Sequence, residues 1–127
     1  MLIEDYFQQI RFLIEGCTGV QSFDINCENR GIYQGFVRDN LYFEDGSILH
    51  IREFVDVKKT IDRKMYSYQY MDAAKSLIFR YDDTEHHQKL NLPNFPHHKH
   101  AGSEDNILSS NVPMLAEVLH EIEQLLP

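Results

Sequence analysis

The chain has 127 residues, is 43% hydrophobic and 25% charged, and carries a formal net charge of −8. That length fits a single domain, residues 1–127, with room for a real core. The charge excludes the basic surface that a general nucleic-acid binder spreads against phosphates; a small local basic patch, or a basic protein partner on the acidic faces, stays open. No apolar run is long enough to span a bilayer. Met1-Leu2-Ile3-Glu4-Asp5 lacks the basic start and long apolar core of a signal peptide, so a cytoplasmic protein is expected. Cys17 and Cys27 make no disulfide framework and are expected reduced and packed.

Met1 to Glu15 reads as a helix. Leu2, Ile3, Tyr6, Phe7, Ile10, Leu13 and Ile14 recur at three- and four-residue spacing, and Gly16 suits the stop. Such an amphipathic helix packs by default on a sheet. Val20 to Glu28 alternates as a strand, and Glu28-Asn29-Arg30-Gly31 is a turn signal. Ile32 to Glu44 is a second, long strand with a bend or bulge expected at Gly35. Asp45-Gly46 between two apolar runs predicts a tight hairpin with a primed turn.

A third strand runs from Ser47 to about Val57. Its alternation puts Glu53 on a face with Leu49, Ile51 and Val55. A charged connection, Asp56 to Lys64, leads to a fourth strand, Met65 to Met71, with Tyr66, Tyr68 and Tyr70 on one side. Leu77 to Asp82 is a fifth strand. Ala101 to Asn111 reads as a loop. Asn111 is the expected N-cap of a final helix with Pro113 in its first turn. Short connections between consecutive strands give an α+β fold: an antiparallel meander of about five strands, with the N- and C-terminal helices packed on one face.

Five of the seven histidines, His86, His87, His97, His98 and His100, follow the fifth strand. Imidazole exchanges protons near neutral pH, so this tract is where chemistry is expected. His86, His97, His98 and His100 are the candidates for general acid and base. Arg80 and Lys99 are the candidates to hold phosphate, and Tyr66 and Tyr68 to stack a base. The same tyrosine stripe also fits plain sheet packing. Asp82 is placed to orient a histidine. Glu53 reads as a structural carboxylate, paired with Arg80 from a neighbouring strand. His50 and His120 stand apart and read as structural. There is no CxxC, HExxH or complete zinc pattern, so no metal ligand set and no cofactor are assigned. These residues together would make a metal-independent RNA-cleaving site.

The runs Leu41-Tyr42-Phe43-Glu44-Asp45-Gly46-Ser47, Lys64-Met65-Tyr66-Ser67-Tyr68-Gln69-Tyr70, Phe79-Arg80-Tyr81-Asp82 with His86-His87, and Phe95-Pro96-His97-His98-Lys99-His100 carry a resemblance that also includes Glu53 and Pro113-Met114-Leu115. On them the chain resembles the TumE family, the toxin halves of bacterial and archaeal type II toxin–antitoxin pairs. That resemblance implies a toxin neutralised by a cognate antitoxin, commonly a helix-turn-helix protein. It leaves the activity open, with ribonuclease as the expectation. Asp83 departs from the asparagine often found there in the family. Two other readings stand beside it: a non-catalytic metal- or partner-binding module, and a toxin that modifies its target by nucleotidyl transfer, for which no glycine-rich phosphate loop is present. The meander's edges would be covered by a second copy in a homodimer or by an antitoxin strand.

Overall fold

A computed structural model describes residues 1–84, 92 and 94–127. Two helices and eight strands follow one another along these residues. Helix α1, Ile3–Glu15, opens on Leu2, whose N–H donates to the Asp5 carboxylate at 3.2 Å, one of the orphan donors of a helix start. It buries Ile3, Tyr6, Ile10 and Ile14. Leu2 and Leu13, which the periodicity also put on that face, are exposed.

The expected first strand is two strands. Strand β1, Val20–Asp24, and β2, Cys27–Asn29, pair with different stretches of β3, Gln34–Phe43. Between them the Asn26 N–H donates to the Asp39 carboxylate at 2.9 Å instead of joining a ladder. At Gly35 a side chain is excluded by approach rather than by φ: an added Cβ would lie 2.6 Å from Phe7 and 2.9 Å from the Glu28 carbonyl oxygen.

The β3–β4 hairpin forms where expected, with a different turn. Strand β4 is Ile48–Asp56. Phe43 N–H reaches the Ser47 carbonyl at 2.9 Å, and Gly46 N–H returns to the Phe43 carbonyl at 3.0 Å. The connection is therefore three residues, Glu44-Asp45-Gly46, and Gly46 takes φ of 86°. That is the turn-plus-left-handed-glycine form of hairpin, not a two-residue primed turn.

Strand β5, Asp62–Met71, takes in part of the charged connection. Strand β6, Leu77–Asp82, falls where the alternation put it. Two further strands were not expected: β7, His98–Ala101, at the end of the histidine tract, and β8, Ile107–Ser109, within the stretch read as a loop. The spatial order is β1-β3-β4-β5-β6-β7-β8, with β2 also on β3, and every pairing is antiparallel. Helix α2, Leu115–Leu125, starts later than expected, with Met114 rather than Asn111 at its N-cap.

The fold is thus α+β, as expected, with more strands. Alternation divides the sheet into two faces. Leu41, Leu49, Ile51, Val55, Tyr66, Tyr68, Tyr70 and Phe79 meet Ile3, Ile10, Ile14, Leu115, Val118 and Ile122 of the helices in one core. The other face, called outer here, presents Phe36, Arg38, Asn40, His50, Arg52, Phe54, Ser67, Gln69 and Arg80, all exposed or half-buried.

Candidate functional site

The histidine tract folds onto the sheet. β7 pairs with β6 so that His98 lies opposite Asp82 and His100 opposite Arg80, all four on the outer side of the sheet. Lys99, between the two histidines, points to the helix side, where its Nζ donates to Glu121 at 2.9 Å and sits 4.8 Å from the Tyr81 ring centre. The polar alternation His-Lys-His is a strand signal as good as an apolar one, and the prolines before it masked it.

His98 and His100 are 3% and 1% exposed, and Asp82 between them is 3% exposed. The hydrogen bonds settle their tautomers. His98 Nδ1 lies 2.8 Å from the Pro96 carbonyl oxygen, and His100 Nδ1 lies 2.8 Å from that of Glu104. A carbonyl oxygen only accepts, so each Nδ1 carries a hydrogen. Each Nε2 is then aimed inward. His98 Nε2 stands 2.8 Å from Asp82 Oδ1 and 3.1 Å from His100 Nε2, which is 3.8 Å from Asp82 Oδ2. Two nitrogen lone pairs at such a distance repel unless a positive charge, a proton or a metal ion, lies on or between them.

Asp82 is held from its other sides. Arg80 Nε donates to Oδ2 at 2.9 Å, and Thr84 donates to Oδ1 through its N–H at 3.1 Å and its hydroxyl at 3.0 Å. Arg80 is itself clamped by Glu104, both contacts at 2.7 Å, and donates to Gln69 at 3.0 Å. That clamp holds the Glu104 carboxyl below its ordinary range. Arg80, though basic, is therefore already matched by acids.

His97 stands apart from the pair. It is half-buried, its ring stacked on Tyr66 with centres 5.7 Å apart, and its Nδ1 lies 2.9 Å from the Tyr66 hydroxyl. Nearby, burial raises the Asp83 carboxyl above its ordinary range, and His97 opposes that rise. Asp83 accepts from the Tyr66 N–H at 3.2 Å.

The remaining sequence candidates lie elsewhere. His86 lies outside the described residues. Tyr66 and Tyr68 are core residues, 1% and 0% exposed. Glu53 does not reach Arg80: it is on the helix side, accepting from the hydroxyls of Tyr6 and Tyr68. Burial raises its carboxyl above the ordinary range. Arg80 and Lys99 project from opposite faces of the sheet, so they do not share one phosphate. His50 is half-buried on the outer face, with Nδ1 against Asn40 Oδ1.

Two residues escaped the sequence reading. Arg38 and Arg52 are direct cross-strand partners on the outer face, both exposed. The hairpin at Asp45-Gly46 finds them only with its three-residue turn, because Phe43 opposite Ser47 puts 38 opposite 52. Arg52 lines a concavity of about 760 Å³ with His50, Ser67, Gln69, Arg80 and Asp82. Beside it Phe36 and Phe54 stack at 4.7 Å. A second concavity of about 680 Å³, on the helix side, holds the Lys99–Glu121 pair.

Comparison with known proteins adds a family to this geometry. The model of a family described as Toxin TumE matches residues 10–126, nearly the whole chain. The chain belongs to the TumE family of toxins. No curated protein and no solved structure matches it. The family match runs from α1 through α2, so it takes in both the histidine pair and the outer face. Among the described residues no helix is long and apolar enough to cross a membrane.

Proposed function

We propose that this TumE-family toxin cleaves RNA that crosses the outer face of its sheet and turns over the end of the sheet to reach His97 on the helix side, in the cytoplasm of cells that lack its antitoxin. The observation that carries the reading is the Arg38–Arg52 pair. Like charges directly opposite each other on a sheet destabilise it, and a phosphate backbone crossing the two strands offsets that cost. The stacked Phe36–Phe54 pair, with the Arg30 and Arg38 guanidiniums over Phe36, puts planar aromatic and guanidinium groups beside it for unstacked bases. Local placement of these arginines reconciles RNA binding with a net charge of −8.

Cleavage needs a base for the ribose 2′-hydroxyl and an acid for the departing 5′-oxygen. Of the tract histidines whose positions are described, His97 is the half-buried one while His98 and His100 are buried, and its contact with Tyr66 on the helix side fixes the ring. His98, His100 and Asp82 form a buried group that holds β7 in register with His97 at its start. His86 completes the acid–base set proposed from the sequence. The 2′-oxygen displaces the 5′-oxygen at phosphorus, leaving a 2′,3′-cyclic phosphate and a 5′-hydroxyl, with no metal in the step.

A cognate antitoxin, of helix-turn-helix type by the family resemblance, neutralises the toxin. Among the described residues β8 ends the sheet, and its edge offers main-chain groups for an antitoxin strand or a second copy. The test uses purified protein and single-stranded RNA in buffer without added divalent ions. Fragments ending in cyclic phosphate are expected, with loss of at least tenfold in rate for His97→Ala. RNA left intact by a folded protein that is toxic in cells sinks the reading.

A further inference from the structure

The buried pair has a second consequence, separate from RNA cleavage. We propose that Asp82, His98 and His100 bind a first-row divalent metal ion, zinc by preference, which fastens β7 to β6. The site does not rest on the ribonuclease reading, and the ion takes no part in that step.

Orientation is the first argument. Both imidazoles give their Nδ1–H to main-chain carbonyls, at 2.8 Å each, which leaves both Nε2 lone pairs aimed at one point. Metal-bound histidines are held in this way, with the far nitrogen donating to a carbonyl or carboxylate. Asp82 meets the same requirement: Arg80 holds its Oδ2 and Thr84 supports its Oδ1.

Spacing is the second argument. Zinc sits about 2.0–2.1 Å from imidazole nitrogen, so tetrahedral neighbours in its shell lie about 3.3 Å apart. His98 Nε2 lies 3.1 Å from His100 Nε2 and 2.8 Å from Asp82 Oδ1, whereas the 3.8 Å contact of His100 Nε2 is to the other oxygen, Oδ2. One ligand atom from each residue lies within 4.8 Å of the other two, and a rotation of the Asp82 carboxylate would draw the set round one ion. Among the described residues these three supply ligands, one short of a tetrahedral shell.

Charge and ligand type choose the ion. Two imidazoles and one carboxylate suit zinc, nickel or cobalt rather than calcium or magnesium, which prefer all-oxygen shells. A dication satisfies both nitrogen lone pairs and the Asp82 charge at once. Arg80 would oppose it, but Glu104 neutralises that guanidinium through two contacts at 2.7 Å. All three ligands are at least 97% buried, which removes the competition from water.

Position gives the ion its role. His98 pairs directly with Asp82, so an ion there fastens the end of β6 to the start of β7. Binding to the folded state alone stabilises it by mass action.

The experiment uses untagged full-length protein, dialysed against zinc and then against metal-free buffer. One equivalent of zinc per chain is expected by elemental analysis. Apoprotein titrated with zinc should gain about 5–10 °C in Tm at a hundredfold excess over Kd. Cobalt in place of zinc should give visible absorption bands. His98→Gln and His100→Gln should each lose the metal and the Tm gain, whereas His97→Ala and His50→Ala keep both. Should a glutamine variant fail to fold, the wild-type titration still decides. Folded wild type that retains no metal and shows no Tm change overturns the proposal. Metal retained by a folded His98→Gln/His100→Gln double variant also overturns it. RNA cleavage enters none of these readouts.

Discussion

Arg38 and Arg52 face each other across β3 and β4, and among the described residues neither forms an ion pair with an acid. The Arg30 and Arg38 guanidiniums instead lie over the Phe36 ring, 5.0 and 5.5 Å from its centre. Arg52→Thr should therefore raise stability by about 0.2–1 kcal/mol, by removing one of two opposed charges. The same change should weaken single-stranded RNA binding and reduce the salt slope by about 0.7 for the lost phosphate contact. Denaturant unfolding and RNA titrations at several salt concentrations read the two effects. An unchanged affinity and slope would take RNA off the outer face.

Asp39 gives a pH dependence of known sign. It is buried under β3 with one oxygen accepting from Asn26 and the other, Oδ2, without a hydrogen-bond partner among the described residues. Burial pushes its carboxyl up from 3.8 to about 6. A carboxyl raised in the folded state favours folding while protonated. Its contribution is complete below pH 3.8 and is lost as pH rises through about 6. That loss amounts to about 2–3 kcal/mol. Asp39→Asn keeps an oxygen for Asn26 and removes the titration. The variant should be the more stable above pH 7, with its advantage shrinking as pH falls below 5. Urea melts at pH 4.5 and 7.5 compare the two proteins, and an advantage that does not shrink at the lower pH refutes the assignment.

Gly35 is the seat of α1. A methyl group there would stand 2.6 Å from Phe7 Cζ and 2.9 Å from Ile3 Cγ1. Gly35→Ala should cost about 1–3 kcal/mol through overpacking. Trimming the obstructing ring should relieve part of that cost, so Gly35→Ala and Phe7→Ala should be less than additive. Strict additivity in thermal melts would mean that the helix shifts freely.

Tyr68 separates a core role from a substrate role. Its hydroxyl donates to the buried Glu53 and accepts from Arg63 at 2.8 Å. Tyr68→Phe leaves a buried carboxylate short of a donor, at a cost of about 1–3 kcal/mol. RNA binding by the folded fraction should not change, because the ring lies beneath the sheet. A large loss of RNA affinity with unchanged stability would restore Tyr68 as a stacking residue.

Much of this fold was legible before any coordinates. Apolar periodicity located α1, α2 and the β3–β6 meander, because each buries one face against the other layer. The breaks came where local polar bonding overrode pattern. Val20 to Glu28 alternates throughout, yet Asp39 takes the Asn26 N–H and splits the strand in two. The tract His98-Lys99-His100 carries alternation in polar residues, which a search for apolar stripes passes over.

Site residues followed the same division. Asp82 was expected to orient a histidine, and His98 Nε2 lies 2.8 Å from it; that His98 opens a strand opposite Asp82 was not legible. Nor was the separation of Arg80 from Lys99, because it depends on β7 being a strand and on its register. Glu53 was placed on the right face by its apolar neighbours, but its partners came from α1 and β5 rather than from Arg80. Arg38 and Arg52 needed the hairpin register, and the two-residue turn expected at Asp45-Gly46 would have set Arg38 opposite Glu53, one residue off.

Consecutive strands are neighbours all the way from β3 to β8. A chain emerging from the ribosome N-terminus first can therefore close its ladder in the order of synthesis. The β3–β4 hairpin, with both arginines, is complete well before His98 has been made. A nascent chain thus presents the basic surface for part of its synthesis without the histidine cluster. Premature release anywhere between Asp82 and His98 yields the first feature without the second.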